Sequence, residues 1–316
     1  MAAVIPEGTV AWGIQLPIQS QSTLYAEAWE AAAGTGELVE IAQAADRAGA
    51  FYVAVCEHIA IPKPLDEKMS TSWYHTTTTL GFLAGVTRSV RLLSHVVVAA
   101  YHHPLELAKA FATLDALSGG RAILGIGAGH VEGEFALLGV DFAGRGRVLE
   151  AALPAIRAAL DDEYPALPGG AAGLDGSAGM RPRPVQPSLP VWVGGSSPAA
   201  VRRAAQLADG WLPQGTMPAD LPGEVARIRR LRADAGLDPA FDLGANVFPV
   251  YVGDPGWDVG RYTITGKPDE IADRLRTWTG AGVNQLQMRF RSRGTTELVD
   301  QLERFGRDVV PLVAAG

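Results

Sequence analysis

His103-Pro104-Leu105-Glu106-Leu107-Ala108-Lys109-Ala110-Phe111-Ala112-Thr113-Leu114-Asp115-Ala116-Leu117-Ser118-Gly119-Gly120-Arg121, followed at once by Ala122-Ile123-Leu124-Gly125-Ile126-Gly127-Ala128-Gly129-His130, decides the fold of this chain. Pro104 suits the first turn of a helix, where its missing N–H costs nothing. Apolar residues at Leu105, Ala108, Phe111, Ala112 and Leu114 give that helix a face to bury, and the Gly119-Gly120 pair stops it. The run Ala122–Ile126 predicts a short strand apolar on both faces, the kind found in a parallel sheet covered on both sides. A glycine corner follows, with His130 at its tip. A helix feeding such a strand is half of a βαβ unit, and the histidine stands at the carboxyl end of the strand, where barrel enzymes keep their chemistry.

The same alternation repeats along the chain. Strand-like runs fall at Val10–Leu16, Phe51–Val55, Arg91–Val98, Ala122–Ile126, Val191–Val193, Gly210–Leu212, Leu243–Val252 and Gln285–Phe290. Helical periodicity follows each, near Glu37–Ala48, Thr77–Thr87, Pro104–Leu117, Arg147–Leu160, Pro198–Ala208, Leu221–Ala235, Pro268–Ala281 and Thr295–Val310. Eight alternations with right-handed crossovers predict a (β/α)8 TIM barrel, an α/β fold, as one domain over residues 1–316. A doubly wound sheet is the competing architecture, but it usually has fewer strands and one switch point. Two segments break the rhythm, about 17–35 and 163–190; both read as insertions at the rim of the barrel.

Of the 316 residues 47% are apolar, enough for one large core, and the net charge of −7 argues against nucleic acid or an anionic membrane as partner. No window approaches the roughly 20 apolar residues of a membrane span. The start of the chain lacks the basic and apolar runs of a secretory signal, and the lone Cys56 allows no internal disulfide, so a cytoplasmic protein is expected. Cys56 reads as a small buried hydrophobe.

All six histidines, His58, His75, His95, His102, His103 and His130, fall late in or just after the second, third and fourth predicted strands. Gathering the one side chain that titrates near neutrality at one face of a barrel points to proton chemistry or a metal. For any one of them a loop or interface histidine is the plain alternative. Glu57, His58 and His130 are the residues from which a small zinc triad would be built. The first strand carries no histidine, there is no His-x-His, and the second half of the chain has no histidine to complete a hydrolase cage.

The stretch from His103 to Gly129 resembles the luciferase-like flavin and deazaflavin oxidoreductases, whose pattern is roughly HP-x-x-x-AK-x-x-A-x-LD-x-LS-x-GR-x-x-x-G-x-G-x-G. Further matches follow in order: Glu134-Phe135 and Gly139, Pro190-Val191-Trp192-Val193-Gly194-Gly195, and Ala208-Asp209-Gly210-Trp211. The resemblance spans from about Val10 to the last helix. It implies a luciferase-like barrel, expected as a homodimer, that acts on a small organic substrate, and a cofactor that is either FMN or the deazaflavin coenzyme F420.

Residue by residue, the resemblance places an acidic residue and a histidine at Glu57-His58, with the histidine facing the reactive part of the cofactor. His130 stands where some deazaflavin-dependent members carry a glutamate proton donor, and a histidine does that work with a pKa closer to seven. The third strand of the family has a bulge with a non-proline cis peptide under the central ring, which falls at His95–Val96, after Ser94. Gly194-Gly195-Ser196-Ser197 before Pro198 forms a helix start whose N–H groups suit a phosphate, with Gly127, Ala128 and Gly129 beside it. A plain tight turn explains the same glycines. Arg289, Arg291 and Arg293 alternate with Met288 and Phe290, and the arginines suit either a polyanionic tail, an acidic substrate or ordinary salt bridges. Trp73, Tyr74, Tyr101 and Trp12 are candidates for an aromatic substrate wall or for the core.

The expected function is hydride transfer between coenzyme F420 and a small substrate, with His58 and His130 as proton groups. The motif style, Glu57-His58 and the arginines near Arg289 favour the deazaflavin over FMN. An FMN-dependent monooxygenase is the alternative within the family. A metal-dependent barrel hydrolase and a non-catalytic flavin-binding barrel are the alternatives from other classes.

Overall fold

The computed structural model describes residues 3–23 and 25–314. Eight of the apolar runs form strands: β1 Ala11–Gln15, β2 Tyr52–Val55, β3 in two pieces Arg91–Ser94 and Val97–Val98, β4 Ala122–Gly127, β5 Val191–Gly194, β6 Gly210–Leu212, β7 Asp242–Asn246 and β8 Gln285–Met288. Each pairs in parallel with its neighbours in chain order, and β8 closes on β1 through Ala11↔Gln285 and Gly13↔Gln287. The ring is a closed (β/α)8 barrel. Around it run α1 Thr35–Arg47, α2 Thr76–Val86, α3 Pro104–Ser118, α4 Arg145–Asp161, α5 Pro198–Leu207, α6 Leu221–Asp234, α7 Pro268–Thr279 and α8 Thr295–Arg304. Among the described residues no helix is long and apolar enough to cross a membrane.

Most of the core lies between strands and helices. A smaller cluster fills the barrel itself: Ile5, Tyr52, Ala54, Leu93, Ile123, Trp192 and Leu212. Large inward side chains are matched by inward glycines across the ring, since a small-against-large pattern is what a narrow barrel can hold. A Cβ at Gly13 would stand 2.6 Å from the Tyr52 ring, and one at Gly210 would strike Trp192. At the foot, the buried Asp242 carboxylate accepts the Val4 and Ile5 N–H groups and the Trp192 indole at 2.9, 3.2 and 3.0 Å, so the N-terminal segment plugs the barrel. Burial pushes Asp242 up to about 6.

Two of the predicted strands break. Residues 94–96 of β3 face only two residues of β4, because Leu93 pairs with Ile123 but Val97 pairs with Ile126: one extra residue, a bulge. The predicted run Leu243–Val252 likewise leaves the barrel after Asn246. Val247 and Val250 donate to Gln287 and Arg289, three residues against two, with Pro249 between them having no N–H to give. Val250–Val252 then pairs with Ile264–Gly266 in a two-stranded sheet outside the ring.

The two insertions lie at opposite ends of the barrel. Residues 17–35 follow β1 and stand over its carboxyl end; residue 24 in this segment lies outside the described residues, as do 1, 2, 315 and 316. Residues 163–190 join the foot of α4 to the start of β5, on the far side from the histidines. The sequence rhythm suggests a shared rim for both segments, but a position between a helix and the following strand puts 163–190 at the amino end of the sheet instead.

The stretch from His103 to Arg121 is largely a clasp at this amino end. His103 caps α3 with Pro104 in the first turn, and Gly119 and Gly120 leave it at φ 69° and 89°. Asp115, fully buried, accepts the N–H groups of Ala122, Val185 and Gln186 and the Gln186 side-chain amide, at 2.7–3.1 Å. Arg121 donates to Ser118, Thr87, Val90 and Ala84, binding α2, α3 and β3 together. Removing a buried carboxylate with several charge-assisted hydrogen bonds leaves those donors stranded. Asp115→Ala is therefore expected to lower the unfolding free energy by about 3 kcal/mol, measured by chemical denaturation.

Candidate active site

At the carboxyl end of the ring the inward positions turn polar: Gln15 from β1, Cys56 after β2, His95 in the β3 bulge, and Gln287 and Arg289 at the end of β8. Gln15 donates to the Cys56 sulfur at 3.3 Å, and the Gln287 amide points at Gln15 Oε1 at 3.5 Å. Cys56 is buried, its thiol pushed up to about 11 by desolvation, so it stays protonated. Among the described residues, two buried polar atoms in this layer lack partners: His95 Nδ1 and Gln287 Oε1.

The His95–Val96 peptide bond is cis. Ser94 is fully buried with its hydroxyl spent on Gly125, accepting from the N–H at 2.9 Å and donating to the C=O at 2.8 Å, so it clasps the bulge and does not reach the mouth. Val96 turns inward and seats its two methyls against Gly127 and Gly194. A Cβ at either glycine would come within 2.7 Å of it. Gly129, at φ 81°, holds a left-handed turn that no other residue takes easily, and a Cβ there would meet Val98 and Phe135.

After β5, Ser197 caps α5 by accepting the Ala200 N–H at 3.2 Å. Gly195 bonds the loop to β6 through Leu212 and Trp211, and the Ser196 hydroxyl is drawn to Thr216 at 2.6 Å and to the Gln214 N–H. The serine side chains are therefore committed to shaping the loop. What remains for an anion is the backbone N–H groups of the first helical turn, the usual donors at such a terminus.

His58, with His130 beside it, is held by Glu134, a residue that the sequence pattern contains but assigns no role. It lies on the short helix Glu132–Leu137 after β4, and its side chain is 1% exposed. His58 Nδ1 is 2.9 Å from one carboxylate oxygen, which also accepts the Tyr101 hydroxyl at 3.1 Å; the Ile59 and Ala60 N–H groups donate to the other. Burial alone would raise Glu134, but these donors outweigh it and hold the carboxyl below its ordinary value. His58 Nε2 takes no partner among the described residues. Trp73 lies edge-on to the His58 ring at 4.4 Å and His130 at 5.7 Å, with His130 exposed to the mouth. Surrounding protein and then the neighbouring His58 lower the His130 pKa, with Glu134 opposing.

Glu57, expected beside His58 as a catalytic residue, is buried. Both oxygens are committed, one to the Val98 N–H at 2.6 Å and the other to His102 Nε2 at 2.8 Å, so it props the strand just beyond the bulge. Burial pulls His102 down, but Glu57 and then Glu106 more than restore it and leave it raised. A zinc triad of Glu57, His58 and His130 does not form, and no group of three such ligands is placed for a metal among the described residues. His75 and His103 are helix caps. Trp12 packs in the core against Phe290 and Phe305. Of the arginines, Arg291 pairs with Glu27 at 2.9 Å and Arg293 with Glu297 at 3.0 Å.

A family model described as luciferase-like monooxygenase matches residues 11–256. The chain belongs to this family. An uncharacterized protein of Mycobacterium tuberculosis is 31% identical over 288 residues, which is 87% of this chain and 95% of that protein. Among solved structures, the coenzyme F420 dependent tetrahydromethanopterin reductase from Methanopyrus kandleri has a TM-score of 0.74 at 21% identity, covering 96% of this chain and 99% of its own. A riboflavin lyase solved with modified FMN and riboflavin has a TM-score of 0.75 at 14% identity, covering 97% and 92%. At these identities the two structures are likenesses of fold. The first of these proteins depends on coenzyme F420 and the second was solved with modified FMN.

Burial of the His95 ring holds its pKa down to about 4, from an ordinary 6.5. A histidine kept neutral in the fold lends stability that is complete above 6.5 and is lost as pH falls toward 4. The loss amounts to about 3 kcal/mol at 1.36 kcal/mol per pH unit. His95→Gln is expected to flatten this slope between pH 6.5 and 4 in denaturation series, and an unchanged slope would contradict it.

Proposed function

We propose that the chain is an F420-dependent oxidoreductase acting on a small organic substrate at the carboxyl mouth of the barrel. The observation that carries this reading is the array of Glu134, His58 and His130. Bound there, the deazaflavin supplies a hydride carrier, and a hydride gained or lost by a substrate carbon has to be matched by a proton. Glu134 fixes His58 with Nδ1 occupied and Nε2 open. His130, edge-on to it and lowered in pKa, is neutral at pH 7 and exchanges a proton readily with substrate or solvent.

The residues present fit such a cofactor. Val96 offers an apolar floor between Gly127 and Gly194, a cradle that a Cβ at either glycine would fill. The unpartnered His95 Nδ1 and Gln287 Oε1 supply polar atoms at the edge of that floor, suited to a heteroaromatic ring with polar substituents. Gly194, Gly195, Ser196, Ser197 and the first turn of α5, with Gly127, Ala128 and Gly129 beside them, would hold the phosphate. Trp73 and Tyr101 would close the mouth over substrate and keep water from the reacting carbon. Likeness to the M. kandleri reductase, which depends on F420, supports the deazaflavin; likeness to the riboflavin lyase, solved with modified FMN, supports FMN as the second reading.

Titration of the full chain with F420 and, separately, FMN, followed by tryptophan quenching, tests the choice. Micromolar binding of F420 with FMN ignored is expected; preference for FMN overturns it. With F420H2 and a reducible substrate, the rate is expected to fall as pH rises through a pKa below 6.5, as His130 loses its proton. His130→Gln should remove that limb of the profile.

A further inference from the structure

Arg289 is the one cation on the inner wall of the mouth that the fold leaves uncommitted among the described residues. It continues the inward series of β8: Gln285 donates to the Tyr52 hydroxyl inside the barrel, Gln287 reaches Gln15, and Arg289 stands one step higher. Its guanidinium is half-buried and lies 5.0 Å from the centre of the Tyr25 ring. Among the described residues the guanidinium makes no ion pair and no hydrogen bond, so its five N–H donors have no protein acceptor. The nearby carboxylates are engaged elsewhere. Glu27 pairs with Arg291, and Glu30 accepts the Ile18 and Glu27 N–H groups at 2.9 and 2.8 Å.

The loop over β1 that carries Tyr25 joins this arginine to the histidine array. Ser20 bridges to Trp73, which covers His58, and Trp29 donates to Ser292 at 3.2 Å beyond Arg289. Arg289 and the proton groups therefore stand under one roof. Arg289 and Arg291 set against Glu27 and Glu30 make the group neutral overall, so a bound monoanion leaves one excess negative charge there and a dianion two. A planar fork with free donors is matched by a carboxylate.

We infer that Arg289 receives the carboxylate of a monoanionic substrate and so selects small organic acids; as a substrate site this rests on the hydride-transfer reading. The test uses the full chain, with and without F420, at fixed ionic strength. Propionate and propionamide, alike in size and shape, are titrated by tryptophan fluorescence against the wild type, Arg289→Met, Arg289→Lys and the surface control Arg293→Met. Propionate is expected to bind at least tenfold more tightly than propionamide. Arg289→Met should erase that preference, Arg289→Lys should keep part of it, and Arg293→Met should keep all of it. Circular dichroism checks that each variant is folded, and the Lys variant carries the test if the Met variant is not.

Equal binding of the acid and the amide would overturn the inference, as would a preference that survives Arg289→Met. Tighter binding of inorganic phosphate than of propionate would also overturn it, because the site would then be dianionic. So would a tenfold loss of F420 affinity in Arg289→Met with the propionate preference retained, since the arginine would then serve the coenzyme. Failure of the wild type to bind F420, with the propionate preference intact, would sink the cofactor reading and leave carboxylate capture by Arg289 standing.

Discussion

One buried carboxylate sets the geometry of the mouth. Glu134 gathers an imidazole from the loop after β2, a phenol from the segment after β3 and two backbone N–H groups, and it does so from the helix after β4. A buried charge is tolerable only when its lone pairs are filled, and here four donors from two loops fill them. The loops are thereby locked to one another. Losing Glu134 would free His58 to rotate and would leave Tyr101 and the two N–H groups without an acceptor.

The barrel divides its labour between its ends, as its strand geometry favours. At the amino end Asp115, Arg121 and Asp242 tie helices, strands and the N-terminal plug together through networks of hydrogen bonds. At the carboxyl end the inward layer keeps open valences: His95 Nδ1, Gln287 Oε1, His58 Nε2 and the Arg289 fork. Glu57 belongs to the first kind of residue although it sits next to His58, since it is spent on Val98 and His102. The β3 bulge belongs to the carboxyl end. Its extra residue turns Val96 inward at the point where Gly127 and Gly194 leave room.

Much of this is legible in the sequence. The alternation of apolar runs and helices finds all eight strands and helices, with the expected strand Leu243–Val252 overrunning its barrel strand by six residues and the expected helix Thr295–Val310 overrunning the α-helix Thr295–Arg304 by six. Pro104 and the Gly119-Gly120 pair mark the limits of α3 through local backbone rules alone. Breaks that depend on partners are not legible. Pro249 interrupts β7 only because β8 beside it demands an N–H there, and 163–190 faces away from the site only because of the direction of α4. Glu134 stands beside Phe135 in the family pattern, yet its role needs His58, 76 residues away. An acidic residue on a short helix just past the His130 corner is the signal the sequence offers. Gln15 and Gln287 carry no motif, and their inward position follows from strand register rather than residue type.

The central claim is that an ionised Glu134 holds His58 by Nδ1 and leaves Nε2 for the reacting partners. Long-range proton–nitrogen correlation spectra of the protein labelled with 15N-histidine read this directly. The account predicts that neutral His58 carries its proton on Nδ1, with Nε2 showing the shift of an unprotonated nitrogen. A proton found on Nε2, with Nδ1 accepting from a protonated Glu134, would contradict it.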